Sequence, residues 1–392
     1  MIGGAKDAVK ELDCFSLFMD STVIRDITER TNSNITKHLD RLTADQKKKY
    51  SYVRTTTEEE ISAYLGLMYL RGAYQWNYWD IQRVWTSHPV FPAAMAINRF
   101  WFLNIFLVMD DPETRVERWQ TDRFAAVREL FERVNDNCGS ALQMGKFGAI
   151  DECLYACRNQ VAIKQYNKSK PAKYGLLFKC INEVTMPYTH RSEVFAGKPS
   201  EPGGGYYYKT VEEITLRLVD KVREQQDLQG RNITFDNLYT SIPLAEKLLD
   251  RKITIVGTMR HNRKGLPKEI KSMEGRESNS SIVYWEKKEQ KLTLTTYVVS
   301  TKSKGLKNII VLASTPPLLG QTKDDGKCKP GIIKFYDFNK GGTDIVDQRS
   351  AQNTTSTKSV KWTKKVLSYM LDISRLNAHC PDHLLPQQWS RS

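Results

Sequence analysis

The chain has few of the residues that build disulfide frameworks or zinc sites. It contains seven cysteines and six histidines in 392 residues, and both are widely spread. An odd number of dispersed cysteines is not typical of a disulfide-stapled secreted domain and favours a reducing compartment. No CxxC pair, Cys/His cluster or HExxH pair occurs. We therefore expect no zinc in this chain.

Long apolar runs and nucleotide-binding loops are also missing. The most apolar run, residues 100–109, is too short to cross a bilayer, and the amino-terminal residues lack the apolar stretch of a signal peptide. EPGGG at 201–205 lacks the GxxxxGK[ST] pattern of a P-loop, and no GxSxG elbow occurs. These absences predict a soluble intracellular protein with no membrane partner, and they argue against a P-loop nucleotidase or a serine hydrolase.

What the chain has in excess is positive charge. Its 59 Lys and Arg residues outnumber 45 Asp and Glu, so the formal net charge is +14. A hydrophobic content of 40% indicates a folded protein. Such a charge favours a polyanionic partner, most simply nucleic acid, because each neutralised phosphate releases counterions. A basic surface kept for solubility is the alternative.

Hydrophobic periodicity divides the chain into parts. Residues 1–145 show helical spacing, and residues 146–260 follow the order strand, strand, helix, strand, helix, strand, which predicts an α/β layered domain with a mixed sheet. Residues 261–330 are rich in Lys, Gly and Ser with short β-rich pieces, which predict a β-rich insertion. A helix start follows within 331–352, and a last amphipathic helix lies within 353–392.

Two aspartates interrupt apolar, strand-like runs. Asp151 lies in AIDECL and Asp236 in ITFDNLYT. An unpaired buried charge is costly, so each aspartate needs a reason to be there. A strand-end aspartate that caps a loop explains either one alone as well as a functional role does.

A second pair of aspartates follows two glycines in GGTDIVDQ. Asp344 and Asp347 are spaced three apart, which fits either an ordinary helix start or half of a metal site. Neighbouring strands lie about 4.8 Å apart, so Asp151, Asp236 and the helix-borne Asp344 can converge at one sheet edge. Oxygen ligands suit Mg²⁺ or Mn²⁺, and two such ions about 4 Å apart can activate a water or a 3′-hydroxyl for phosphodiester chemistry.

Basic stretches flank these aspartates. A solvated basic loop is the usual explanation of such runs, and contacts to DNA phosphates are the functional one. The candidate DNA-binding residues are Arg158, Lys164, Lys168, Lys170 and Lys173 after Asp151, and Arg260, Arg263 and Lys264 in GTMRHNRKGLP.

The motifs together resemble those of the piggyBac transposases and the host proteins derived from them. The resemblance covers roughly residues 55–380 in family order. It is carried by IDECL, RNQVAIKQYNKSKPAKYGLLFK, TFDNLYTS, IVGTMRHNRKGLP, VYWEKK and FYDFNKGGTDIVDQ.

The resemblance implies a multidomain α+β protein. Its RNase H-like catalytic domain would comprise residues 146–260 and 331–352, interrupted by the β-rich insertion 261–330. A mainly helical dimerisation and DNA-binding domain would be assembled from 1–145 and 353–392.

The resemblance also implies a reaction and its residues. Asp151, Asp236 and Asp344 match the catalytic, metal-binding aspartates, and Asp347 matches a supporting acidic residue. The implied activity is cut-and-paste DNA transposition with Mg²⁺ or Mn²⁺, through strand cleavage, hairpin formation and joining to TTAA targets. The implied partners are transposon-end and target DNA and a second copy of the chain. The implied location is the nucleus.

Two departures keep alternatives open. Family transposases usually end in a cysteine-rich zinc-binding domain and begin with an acidic leader, and this sequence has neither. One alternative is a domesticated, catalytically silent DNA-binding or chromatin protein. Another is an RNase H-like nuclease without strand transfer.

Overall fold

A computed structural model describes Ala8 and residues 10–197, 210–287, 291–301, 305–314, 321–324 and 327–379. Helices occupy the part before residue 142, as predicted, and recur between and after the strands. The helices are α1 (Glu11–Ser16), α2 (Ser21–Leu39), α3 (Ala44–Lys49), α4 (Glu58–Ala73), α5 (Ile81–Ser87), α6 (Val90–Ala94), α7 (Ile97–Phe106), α8 (Arg115–Thr121), α9 (Arg128–Ala141), α10 (Val211–Arg223), α11 (Ile242–Asp250), α12 (Lys268–Lys271), α13 (Gly331–Asn339), α14 (Gly342–Gln352) and α15 (Trp362–His379).

Nine of the described strands form one mixed sheet, with hydrogen-bonded order β2-β3-β1-β5-β6-β9-β8-β7 and β4 also paired to β3. The pairs β1–β5 and β5–β6 are parallel, and the others are antiparallel. The strands are β1 (Phe147–Ala156), β2 (Lys164–Tyr166), β3 (Tyr174–Glu183), β4 (Thr189–Val194), β5 (Asn232–Phe235), β6 (Thr254–Met259), β7 (Ser281–Trp285), β8 (Thr293–Thr301) and β9 (Gly305–Ala313), with β10 (Gln321–Asp324) and β11 (Lys327–Pro330) as a separate hairpin.

The sheet separates two hydrophobic cores. Ile150 and Ile181 belong to the core that α10 and α11 cover on one face. Cys153 and Phe178, on the opposite face, belong to a core shared with the amino-terminal helices and with α15. Because the side chains of a strand alternate between faces, Asp151 lies on the same face as Cys153, towards α14 and α15.

Side-chain caps fix the starts of several of the described helices. Thr210 and Glu213 form a reciprocal capping box at α10, and the Ser241 side chain accepts from the Leu244 N–H at α11. At α4 the TxxE pattern of Thr57 and Glu60 is typical of a capping box, but the box is only half formed. The Thr57 hydroxyl accepts from the Glu60 N–H at 3.3 Å, but the Glu60 carboxylate binds Arg99 and Thr56 instead of returning to Thr57.

The segment predicted as a β-rich insertion extends the central sheet. β9 pairs with β6, and β8 and β7 follow it outwards. The sheet therefore continues across residue 261, and the predicted domain boundaries remain predictions. None of the described helices combines the length and apolar character needed to span a membrane.

Candidate active site

Asp151 occupies the fifth position of β1 and is half-buried. Ala149 and Cys153, two residues away on either side, share its face of the sheet. Helix α14 begins against this face, since a Cβ placed on Gly342 would lie 3.3 Å from the Ala149 Cβ. Asp151 is therefore a strand residue that faces α14, as the sequence predicts.

Asp236 follows the last residue of β5. The parallel register pairs Ile150 with Phe235, which brings Asp151 and Asp236 to successive positions of neighbouring strands. The prediction that Asp236 lies within a strand is wrong by one residue. Its Oδ1 accepts from the Leu238 N–H at 2.7 Å, and this turn ends the strand because it replaces the ladder bond.

The pKa values of both carboxyl groups are raised. The pKa of Asp151 is raised to about 6, mainly by burial and in part by the charge of Asp236, against the lowering effects of the Glu152 amide and Lys170. Burial is also the main cause that raises the pKa of Asp236, and Glu152 adds to it. Negative charge is thus concentrated where β1 and β5 carry these side chains.

Helix α14 brings two further carboxylates. Asp344 is exposed in its first turn, whereas Asp347, one turn later, is half-buried and its Oδ1 is enclosed without a hydrogen-bond partner among the described residues. Burial raises the pKa of Asp347, the Cys153 thiol lowers it, and Asp344 raises it. The sequence assigned the ligand role to Asp344 and a supporting role to Asp347. The deeper position of Asp347 makes it the α14 carboxylate that contacts β1.

The four aspartates do not form a ready-made metal cage. In the described part of the chain, no three His, Cys, Asp or Glu side chains lie close enough together to hold a metal ion. Lys170 provides positive charge instead, because it lowers the pKa of both Asp151 and Asp347 while its Nζ donates to the Glu152 carbonyl at 2.7 Å. The convergence of three carboxylates on one ion therefore remains a prediction.

One buried ion pair beside the site was not predicted. Glu152 and Lys179 are register partners on β1 and β3, and the Lys179 Nζ lies 3.0 Å from Glu152 Oε1 and 3.1 Å from the Tyr239 hydroxyl. Lys179 is only 4% exposed, so it is a structural partner of Glu152 and not a surface cation. The strand pairing that reveals this contact is not visible in the sequence.

The predicted DNA-binding residues occupy two places. Arg260 donates to Asn237 Oδ1 at 2.9 Å, and its charge lowers the pKa of Asp236. Arg263 donates to the Leu238 carbonyl. The loop after β6 therefore packs on the turn that holds Asp236. Lys264 is exposed in the same loop. Arg158, Lys164, Lys168 and Lys173 lie on the chain between β1 and β3, where Arg158, Lys168 and Lys173 are exposed and Lys164 is half-buried.

Comparison with known proteins finds one family. A family model described as Transposase IS4 matches residues 10–379. The chain is 24% identical over 390 residues to the human PiggyBac transposable element-derived protein 2, covering 93% of this chain and 60% of that protein. It is 23% identical over 350 residues to the human PiggyBac transposable element-derived protein 3, covering 82% and 54% respectively. The chain thus spans little more than half the length of these curated relatives.

A solved structure shares the fold. The cryo-EM structure of the piggyBac transposase synaptic complex with hairpin DNA superposes with a TM-score of 0.84 at 27% identity, covering 97% of this chain and 77% of that chain. The predicted α+β architecture with a mixed sheet is confirmed. The strand order β4-β3-β1-β5-β6 is consistent with an RNase H-like core.

Proposed function

Because the chain belongs to the piggyBac-type transposase family, we propose that it is a DNA transposase that cleaves and joins strands with divalent metal ions. Transposases of this family generally act as nucleases and transesterases. The finer proposals are that Asp151, Asp236 and Asp344 hold Mg²⁺ or Mn²⁺ with support from Asp347, and that the targets are TTAA sites. A homodimer working in the nucleus completes the proposal.

The observation that carries this proposal is the proximity of Asp151 and Asp236, since the charge of Asp236 raises the pKa of Asp151. Each aspartate directly follows a member of the last register pair of the parallel strands β1 and β5, Ile150 with Phe235. The carboxylate-bearing helix α14 packs on the face of β1 that carries Asp151. A core that places two acidic groups side by side accepts a cost in charge repulsion. A function that needs concentrated negative charge explains why the fold keeps both.

The donor atoms fit a hard cation. Oxygen ligands suit Mg²⁺ and Mn²⁺, and the enclosed, unpaired Oδ1 of Asp347 is an acceptor that the protein leaves unsatisfied. Burial keeps the Cys153 thiol protonated by raising its pKa well above the ordinary value, so no thiolate competes for the ion. Asp151, Asp236 and Asp344 would hold the metal, with support from Asp347.

The protein groups around the carboxylates have separate tasks. Bound ions would supply Lewis-acid activation of the attacking oxygen. Asp236 is held in place by its bond from the Leu238 amide, and the Tyr239 amide also lowers its pKa. Arg260, exposed and next to Asp236, is placed to bind the phosphodiester, and Lys170 offsets the carboxylate charge before DNA arrives.

Nicking of supercoiled plasmid in Mg²⁺ or Mn²⁺ tests the proposal. We expect Asp151→Asn, Asp236→Asn and Asp344→Asn each to reduce nicking by at least about 100-fold, because each removes a charge from the reacting centre. Asp250→Asn, an exposed aspartate at the end of α11, is the matched control and should stay within about twofold of the unaltered chain. Activity that survives in any of the three would remove that residue from the site.

A catalytically silent DNA-binding protein is the second candidate. The lack of a ready-made three-ligand cluster among the described residues is the observation that favours it. Plasmid binding without nicking in Mg²⁺ or Mn²⁺, on every end sequence tried, would decide for this candidate. Cleavage without joining to a TTAA-bearing target would instead indicate a nuclease that lacks strand transfer.

A further inference from the structure

A cavity of about 650 Å³ lies beside the candidate active site, between α13 and strands β6, β8 and β9. Asn237, the residue after Asp236, is part of its lining, and so is Tyr336. Burial raises the pKa of the Tyr336 hydroxyl, and the charges of Asp236 and Asp151 raise it further, so this wall lies within electrostatic reach of both aspartates. The volume is within the range of about 300–1,000 Å³ typical of pockets that enclose small ligands.

The half-buried Tyr336 supplies ring surface to the cavity, Tyr297 is 2% exposed behind it, and the hydroxyls of both are fixed. The Tyr297 hydroxyl donates to Asn279 Oδ1 at 3.0 Å, and the Tyr336 hydroxyl lies 3.3 Å from Thr258 Oγ1. The Tyr336 ring, held in this way, can contact a planar group without a further loss of rotamer freedom. The cavity therefore suits a flat, partly apolar ligand.

The charged lining is mainly basic. Asp337 is the one carboxylate among the described lining residues, and both Lys329 and Lys340 bind it. Arg260 and the exposed Lys307 add two more cations. A ligand that carries a phosphate group would match this excess.

One buried amide in the lining lacks a partner. Asn308 is 4% exposed, and its Nδ2 donates to the Ile270 carbonyl at 2.9 Å, but its Oδ1 has no hydrogen-bond partner among the described residues. An unsatisfied buried acceptor costs about 1–3 kcal/mol, so a ligand N–H donor at this point would be favourable. Amino and imino groups of nucleobases are such donors.

We propose that this cavity takes up one unpaired nucleotide of the DNA strand, with its base against Tyr336 and its phosphate near Arg260 and Lys307. The inference rests on the proposed function for the identity of the nucleic acid. It goes beyond that function because it assigns a base-holding pocket to strands β8 and β9, which carry none of the four aspartates.

Fluorescence anisotropy in EDTA tests the pocket without strand cleavage. The probes are a fully paired duplex, the same duplex with one extra unpaired nucleotide, and that bulged duplex with an abasic site at the extra position. We expect the unaltered chain to prefer the bulged duplex over the paired one by at least about fivefold, and the abasic site to remove the preference.

Two variants separate pocket filling from general charge. Ser300 is exposed at the cavity lining, so Ser300→Trp should fill the pocket and abolish the bulge preference while leaving paired-duplex affinity within about twofold. Lys307→Gln should weaken bulged-duplex binding about threefold or more. Lys221→Gln, which removes one cation from α10 on another side of the domain, should affect all probes equally.

Each result decides the proposal. A preference that survives in Ser300→Trp, or that does not need the base, would overturn it. Competition by free deoxyadenosine monophosphate at the affinity of the bulged duplex would show that the pocket serves a free nucleotide and would equally overturn the strand assignment. Because no metal is present, a preserved preference with failed plasmid nicking would reject the proposed catalysis and leave the pocket standing.

Discussion

Gly341 and Gly342 are neighbours in sequence, but their surroundings predict opposite responses to alanine. Gly341 precedes α14 with φ of −78°, and a Cβ added there would meet nothing within 4 Å. A Cβ added at Gly342 would lie 3.1 Å from the Glu183 carbonyl oxygen and 3.3 Å from the Ala149 Cβ. Since the first of these neighbours is backbone of β3, it cannot turn away as a flexible side chain would.

The magnitude follows from two opposing effects. Alanine is favoured over glycine inside a helix by up to about 1 kcal/mol, and less at a helix end, so Gly341→Ala should be neutral or slightly stabilising. Overpacking a fitted contact costs about 1–3 kcal/mol, which exceeds that gain at Gly342. We expect Gly342→Ala to be less stable than Gly341→Ala by about 1–3 kcal/mol.

The same displacement should reach the active site. Relief of contacts at 3.1 to 3.3 Å moves α14 away from β1 by a few tenths of an ångström, and α14 carries Asp344 and Asp347. Catalytic groups must be held to within about 0.5 Å. Gly342→Ala should therefore lower metal-dependent nicking about tenfold, whereas Gly341→Ala should stay within about twofold.

Urea unfolding and plasmid nicking of both variants provide the measurement. Unfolding reports the packing cost, and nicking under conditions where both variants remain folded reports the position of α14. Equal stability of the two variants would refute the close approach of α14 to β1. A destabilised Gly342→Ala with full activity would refute the dependence of catalysis on the position of this helix.

Two further predictions concern buried charges. Burial raises the pKa of Asp372 from 3.8 to about 6. Its neutral form therefore contributes about 3 kcal/mol of stability, which is complete below pH 4 and lost as pH rises through 6. Asp372→Asn should flatten that part of a plot of urea midpoint against pH, and an unchanged plot would identify another titrating group. Arg99 donates to both Glu60 carboxylate oxygens and to three backbone carbonyls, including that of Tyr52. Arg99→Lys should therefore lower the free energy of unfolding, measured by thermal unfolding, by about 2–3 kcal/mol. A decrease below about 0.5 kcal/mol would show that lysine can replace those hydrogen bonds.

Hydrophobic periodicity predicted the helical first part and most strands, but it misplaced features that depend on polar pairing. The strand-like pattern after Asn232 continues through Tyr239, yet β5 ends at Phe235. It ends there because the Asp236 side chain accepts a hydrogen bond from the Leu238 amide and the Asp236 carbonyl accepts one from the Thr240 hydroxyl. Strand β4 was not predicted, for a related reason. Its polar sequence THRSEV is fully buried, and partners such as Glu132 for Arg191 lie too far away in sequence to be recognised.

The candidate site was partly predictable because a carboxylate within an apolar run is costly. That signal identified Asp151 and Asp236, and the structure brings them together. It could not show which of Asp344 and Asp347 is more buried, since the burial of each side chain depends on how α14 packs on β1. Nor could it predict that Lys170 lies near the carboxylates, because the sequence does not distinguish it from the other basic residues of the same loop.

The ionised carboxylates at the candidate site lower the stability of the folded protein. The pKa shifts of Asp151, Asp236 and Asp347 are all upward, so at neutral pH each ionised carboxylate opposes folding. Removing one negative charge should then raise stability while it removes a proposed metal ligand. Asp151→Asn is therefore expected to unfold at higher urea concentration than the unaltered chain at pH 7 and to lose its nicking activity. Loss of activity with a gain in stability separates a chemical role from a structural one, because a residue kept only for packing would lose both together.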